Sequence, residues 1–257
     1  VDHPEARRVN KKVMPRMGGL AIYLGFVLAV LIFAELDKVF VGILLGSVVI
    51  VSLGAVDDVL GLKAWIKFIF QLIAAAIPVL FGLKIDFLSN IFKVGGEHYI
   101  QLGFWSVPLT IIWIAAISNA VNFIDGLDGL ACGVSTISSL SIFIILVQLG
   151  DPAMALVMAA LAGACIGFLP YNFNPAKIFM GDSGALFLGY ILATVSINGM
   201  FKWYTVVSFA VPFLVLGMPI IELTTSSIRR ICHGKSPFSA DRKHIHHRLL
   251  DLGMSQK

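Results

Sequence analysis

Charge is the scarcest commodity in this sequence. Of 257 residues only 13% are charged while 58% are hydrophobic, and the mean hydropathy is +0.91, whereas soluble domains carry about a quarter charged residues. A soluble enzyme and a nucleic-acid binder are both excluded by that balance. Cysteine is sparse too: Cys132, Cys165 and Cys232 stand alone, without CxxC spacing, so neither a disulfide framework nor a zinc site is expected and they read as free thiols or small packing residues. No soluble linker, low-complexity tract or repeated motif breaks the chain. Its start, from Val1, is polar and basic rather than a signal peptide with an apolar core. We therefore expect the protein to extend further at the N-terminus, and the basic tail after Leu223 to lead into more membrane.

What the chain has in abundance is long apolar runs. Reading for about 20 mostly apolar residues gives eight: Gly18 to Leu36, Val39 to Val56, Trp65 to Leu83, Val107 to Ile124, Leu130 to Leu149, Ala153 to Pro170, Ala185 to Met200 and Trp203 to Leu223. The fold class expected is an all-α integral membrane protein, a polytopic helix bundle with eight predicted transmembrane helices forming one domain over residues 1–257. A β-barrel would need weaker, alternating segments. The longest internal connection, residues 84–105, offers Lys84-Ile-Asp-Phe and Tyr99-Ile-Gln-Leu around Gly95-Gly96 as a small exterior β-hairpin without chemistry.

Lysine and arginine excess marks cytoplasmic loops. Alternating the eight runs puts 15 of the 19 basic residues on one face, leaving Lys38, Lys84, Lys93 and Lys202 opposite. On that same basic, cytoplasmic face fall five aspartates: Asp57, Asp58, Asp125, Asp128 and Asp182. Carboxylates near a membrane are expensive and point to function.

Three motifs hold them. Val56-Asp-Asp-Val-Leu-Gly-Leu-Lys63 puts two adjacent acids at a helix end. Neighbours cannot share one helix face, so one can address a metal or a substrate proton while a base holds the other; a solvated helix end is the bland alternative. In Asn119-Ala-Val-Asn122-Phe-Ile-Asp125-Gly-Leu-Asp128-Gly-Leu, polar groups recur every third position and run into a Gly-rich turn. Amides and carboxylates are the hard oxygen ligands Mg²⁺ takes beside phosphate, and Gly126 and Gly129 let backbone approach a diphosphate. Interhelix glue explains the asparagines better than the aspartates. Asp182, in Gly-Asp182-Ser-Gly184, precedes an apolar helix where start-of-helix donors suit anions, although N-capping is the simpler role. A basic tail, Asp241-Arg242-Lys-His244-Ile-His246-His247-Arg248, lacks the ligands of a zinc site and fits an anionic substrate. A helix resting on anionic lipid explains its Arg and Lys but not its histidines.

Taken together and in order, PRMGG, VDDVLGLK, NAVNFIDGLDGLA, NPAKIFMGDSG and DRKHIHHRL span essentially the whole chain. They resemble the polyprenyl-phosphate N-acetylhexosamine-1-phosphate transferases, a family that includes WecA/TagO-like enzymes and MraY. HIHH in place of three consecutive histidines, and PRMGG in place of a TPTMGG-like stretch, are similar to the UDP-GlcNAc branch. The resemblance implies transfer of a sugar 1-phosphate from UDP-GlcNAc to undecaprenyl or another polyprenyl phosphate at the cytoplasmic face of a bacterial inner membrane, releasing UMP and starting a cell-envelope glycan. It implies ten or eleven transmembrane helices in the whole protein, the first and last missing here, and allows a homodimer.

The residue roles it implies are as follows. Mg²⁺, for which Mn²⁺ can substitute, is held by Asp182 with Asn122 and Asp125. Asp57, Asp58 and Asp125 are catalytic, the first two positioning or deprotonating the lipid phosphate. Lys63 offsets their charge or holds phosphate. Phe179 stacks on uracil, and Arg242, His244, His246 and His247 recognise sugar and diphosphate. Asn119, Asn122, Asp128 and Asn172 complete the substrate contacts. An MraY-type transferase is the near alternative. A CDP-alcohol phosphotransferase requires an Ala-Arg pair that the stretch after Asp128 lacks, and an ion-coupled transporter predicts midplane acids and inverted repeats.

Overall fold

The computed structural model describes residues 14–35, 37–89 and 99–197. Seven helices carry it: α1 Gly18–Phe33, α2 Lys38–Leu60, α3 Ala64–Leu80, α4 Ser106–Ile124, α5 Leu130–Gln148, α6 Pro152–Asn172 and α7 Gly181–Val195. Local chemistry sets their ends. Asp37 accepts the Phe40 N–H at 2.7 Å and Asp151 the Met154 N–H at 3.0 Å, capping α2 and α6. Gly61, at φ 63°, ends α2 in the left-handed region that disfavours other residues.

Four of these helices are long and apolar enough to cross a membrane: Lys38–Leu60, Gly103–Ile124 (α4 with the 3₁₀ turn before it), Leu130–Gln148 and Pro152–Asn172. The protein is a multi-pass membrane protein, and among the described residues four of the eight expected spans are supported. Helices α1 and α3 have 16 and 17 residues, and α7 has 15 among the described residues, which end at 197. The first stops at Phe33 because Ala34 turns extended. The third stops before Gly82, whose φ is 107°. The eighth run, Trp203 to Leu223, lies outside the described residues.

Every residue of α7 except Asp182 is buried, as expected of a helix that is apolar all round. It packs against α1, α2 and α4, with α5 and α6 also touching it. Phe187 meets the rings of Tyr23 and Phe26 edge-on, with centroids 5.2 and 5.4 Å apart. The buried Tyr190 hydroxyl donates to the Ile43 carbonyl at 3.1 Å, and Trp113 Nε1 donates to Ser196 Oγ at 3.2 Å. Both satisfy polar groups that lipid could not.

Close approach of backbones fixes the first turn of α7. Gly19 of α1 lies against the backbone of Gly184, and Gly54 of α2 against that of Ser183, leaving no space for a Cβ at either glycine. Small residues at such contacts let van der Waals packing hold helices where no hydrophobic drive exists.

At the opposite end of the bundle, β1 Phe87–Ser89 and β2 Tyr99–Gln101 pair antiparallel, Leu88 facing Ile100. The hairpin therefore starts three residues later than the expected Lys84. Segment 84–86 is tied down otherwise: the Ile85 N–H donates to Thr110 Oγ1 at 2.9 Å and Lys84 Nζ lies 3.2 Å from Asp86 Oδ1.

Gly54→Val should cost about 1–3 kcal/mol through overpacking, read as a lowered midpoint of thermal unfolding in detergent. Gly133→Ala, at a helical glycine with open space around it, should leave that midpoint unchanged or raise it.

Candidate active site

Helix alternation brings the ends of α2, α4 and α6 and the starts of α3 and α7 to one end of the bundle, and the motif aspartates arrive there with them. Asp57 and Asp58 occupy the last turn of α2 and diverge. Asp57 Oδ1 accepts the Leu62 N–H at 2.7 Å, and its Oδ2 receives Lys67 Nζ at 2.7 Å. Lys67 comes from the first turn of α3 and donates equally, at 2.7 Å, to Asp182 Oδ2. One ammonium thus joins three helices. Asp58 turns the other way. Its Oδ1 accepts the Asp182 N–H at 2.9 Å, while its Oδ2 accepts the Ser183 N–H at 3.1 Å and the Ser183 hydroxyl at 3.0 Å. Arg16, just before α1, places Nε 3.8 Å from Asp58 Oδ1 and Nη2 4.0 Å from Asp182 Oδ1.

Asp125 follows α4 directly and is half-buried. Desolvation lifts its carboxyl to about 7; the negative charge of Asp182 adds to the rise and Arg16 opposes it. Around the cations Arg16 and Lys67 the described residues thus gather four carboxylates, Asp57, Asp58, Asp125 and Asp182. Among the described residues no three His, Cys, Asp or Glu side chains form a ready-made metal cage.

The remaining expected residues divide. Asp128 Oδ2 accepts from Asn174 Nδ2 at 3.1 Å and from the Ala176 N–H at 3.0 Å, stapling the α4–α5 turn to the α6–α7 loop. Asn119 forms a two-way amide pair with Gln71 of α3, donating at 2.5 Å and accepting at 3.3 Å. That is the helix-to-helix glue weighed against a substrate role. Asn122 lies half-buried on the last turn of α4. Asn172 donates to the Ile178 carbonyl at 3.1 Å, and its buried Oδ1 has no partner among the described residues. Phe179 is half-buried; its N–H donates to the Pro15 carbonyl at 2.8 Å and its carbonyl accepts from Gly18 at 3.0 Å. Arg242, His244, His246 and His247 lie outside the described residues.

Lys63 is exposed at the start of α3, and the ion pair expected of it is made by Lys67, one turn further on. Sequence reasoning counted Lys67 and Arg16 only as basic-face charges, and passed over Ser183 and Gln71. A lysine inside an apolar helix was the available signal for Lys67.

A family model described as glycosyl transferase family 4 matches residues 40–200. A protein of Bacillus subtilis (strain 168), described as a probable undecaprenyl-phosphate N-acetylglucosaminyl 1-phosphate transferase, is 44% identical over 261 residues, covering 100% of this chain and 71% of that protein. The chain belongs to glycosyl transferase family 4. This family 4 chain is also 38% identical over 286 residues to a decaprenyl-phosphate N-acetylglucosaminephosphotransferase of Mycobacterium leprae, covering 100% of it and 71% of the relative. It is 28% identical over 267 residues to an undecaprenyl-phosphate alpha-N-acetylglucosaminyl 1-phosphate transferase of Escherichia coli K12, with 100% and 71% covered. As a family 4 member it is a transferase, and its matched region runs from α2 through α7, the helices that carry the carboxylate cluster.

Two outcomes check this geometry. Lys67→Met leaves two carboxylates without their shared donor and should destabilise the protein by about 1–3 kcal/mol, whereas Lys63→Met, at an exposed position, should stay within about 0.5 kcal/mol of the parent. Asp125 titrates near 7 in the folded protein and near the ordinary carboxylate value when unfolded. Ionising it therefore removes stability progressively as pH rises from about 4 towards 7. In chelating buffer the thermal midpoint of Asp125→Asn should accordingly gain on that of the parent between pH 5 and pH 8.

Proposed function

We propose that this chain transfers N-acetylglucosamine 1-phosphate from UDP-GlcNAc to a membrane polyprenyl phosphate, releasing UMP, with its site on the cytoplasmic face of a bacterial cell membrane. The names of its relatives support the reaction. The observation that carries the reading is Lys67 Nζ held between Asp57 and Asp182 at the basic end of an apolar bundle, where water-soluble donor and lipid acceptor meet. Excess lysine and arginine at that end supports the orientation.

The donor set fits a divalent cation. Four carboxylates outnumber Arg16 and Lys67 among the described residues, and the charge of Asp182 adds to the rise that burial imposes on Asp125. Mg²⁺ is commonly held by one or two carboxylates together with substrate phosphate, so the lack of a complete protein cage does not count against it. Asp182 and Asp125, with Asn122, would hold it. Bound there, it would offset charge on the departing UMP.

The chain's own groups supply the rest. Lys67 and Arg16 offer charge-assisted donors to phosphate oxygens. Asp57, anchored by the Leu62 N–H, orients Lys67 towards the acceptor. A lipid phosphate oxygen attacks the β-phosphorus, and the bond to the UMP oxygen breaks; the acceptor is already an anionic nucleophile, so no protein nucleophile is required. Phe179 offers a stacking face to the base. Asn172 Oδ1, without a hydrogen-bond partner among the described residues, is an acceptor for a nucleobase N–H. The stretch from Arg242 to His247 recognises sugar and diphosphate.

Purified protein in detergent should release UMP from UDP-GlcNAc only when both polyprenyl phosphate and Mg²⁺ are present, and not from UDP-MurNAc-pentapeptide. Asp182→Ala should lower that release by about 10³-fold and Lys67→Met by about 10²-fold, with Lys63→Met near parental. Absence of release from the parent sinks the assignment. A trapped phosphoryl group on Asp57 or Asp125 in the absence of lipid overturns the one-step route.

A further inference from the structure

We propose that Asp58 is a positioning residue: a carboxylate lent by α2 to cap the start of α7, and thereby to aim Asp182, rather than a group that exchanges protons with substrate. The inference rests on the reading above in giving Asp182 its task.

Three observations converge on it. First, the Asp58 side chain is only 2% exposed, and both of its oxygens are engaged by the first turn of α7: the Asp182 N–H on one, the Ser183 N–H and hydroxyl on the other. Little of the carboxylate is left to meet a substrate. Second, α7 has no cap of its own. Met180 stands at the N-cap position without a side-chain hydrogen bond, although helix starts leave orphan N–H groups that need acceptors. Third, the chain leaves space for a cap from elsewhere. Gly181 has φ 72°, and any Cβ there would collide with the Asp58 carboxylate and the Arg16 carbonyl. The space a side chain on Gly181 would fill is filled by that of Asp58, which lies 124 residues before the Asp182 whose N–H it accepts.

Two consequences follow for the reaction. A negative group at this end of the helix suits the dipole, but it uses amides that would otherwise greet a phosphate. The diphosphate must then be met by side chains and not by the start of α7. In addition, the N–H that Asp58 holds is that of Asp182 itself, so the carboxylate facing Lys67 hangs from a backbone pinned by α2. Asp57, by contrast, engages the flexible Lys67 ammonium, a contact that substrate can exchange. The two adjacent aspartates therefore carry different duties.

Amide hydrogen exchange across α7, measured in chelating buffer, tests this without any turnover. In the parent, the amides of Asp182 and Ser183 should be protected; in Asp58→Asn, which keeps shape and one acceptor, they should exchange about tenfold faster, with the rest of α7 little changed. Turnover of that variant should fall by about 10- to 100-fold in kcat, with KM for UDP-GlcNAc within about threefold, and adding Ser183→Ala should cost less than it does in the parent. Unchanged exchange together with lost turnover overturns the proposal and makes Asp58 a chemical participant. Should Asp58→Asn not fold, Ser183→Ala replaces it: faster exchange at the same two amides supports the cap, and unchanged exchange overturns it. Failure of the parent to release UMP would refute the transferase reading while leaving the exchange result to decide the cap.

Discussion

The junction between the end of α2 and the start of α7 is the constraint from which the site takes its shape. Here Gly54 brings the two backbones together, and Asp58 ties them by hydrogen bonds. In a bundle surrounded by lipid, such a junction needs small residues for contact and acceptors for the helix start; here Gly54 supplies the first, and Asp58 accepts from two of the N–H groups. Once it is made, the height of Asp182 relative to α2 is settled. Lys67 then reaches Asp57 and Asp182 together because both lie at the same level. A second clamp, the Gln71–Asn119 amide pair one turn deeper, holds α3 against α4 beneath it.

Electrostatics act on that frame. Two cations hold the carboxylates at α2 and α7, while Asp125, without an ion pair among the described residues, has its pKa raised by burial first and by the charge of Asp182 second. A membrane interface cannot dilute such charge with bulk water as a soluble surface does. The arrangement is stable as a cluster and yet favourable to any ligand that adds positive charge.

Much of this was legible in the sequence, and the rest was hidden for definite reasons. The apolar runs located every described helix, because hydropathy reports removal from water. It does not distinguish lipid from protein as the new surroundings, so it did not reveal that α7 is enclosed by its neighbours. The acidic motifs announced themselves as charge where charge is costly. Their division of labour did not, since Asp57 and Asp58 are adjacent in sequence and their partners lie on other helices. The choice of Lys67 over Lys63 depended on where α2 breaks: Gly61 turns the chain, leaving Lys63 outside α3 and Lys67 one turn inside it. Asn119 looked like a substrate ligand because its partner, Gln71, carries no motif of its own.

The enclosure of α7 also bears on how the protein is made. Helices α1, α2 and α4, which wrap it, all precede it in the chain, so its binding cleft is synthesised before the helix that fills it. Every residue of α7 except Asp182 is buried, and release into lipid alone would leave Asp182 where charge is costly. Docking directly among its neighbours avoids that exposure. Assembly of the bundle and assembly of the carboxylate cluster then become one event: until α7 is seated, Lys67 has only one of its two acids.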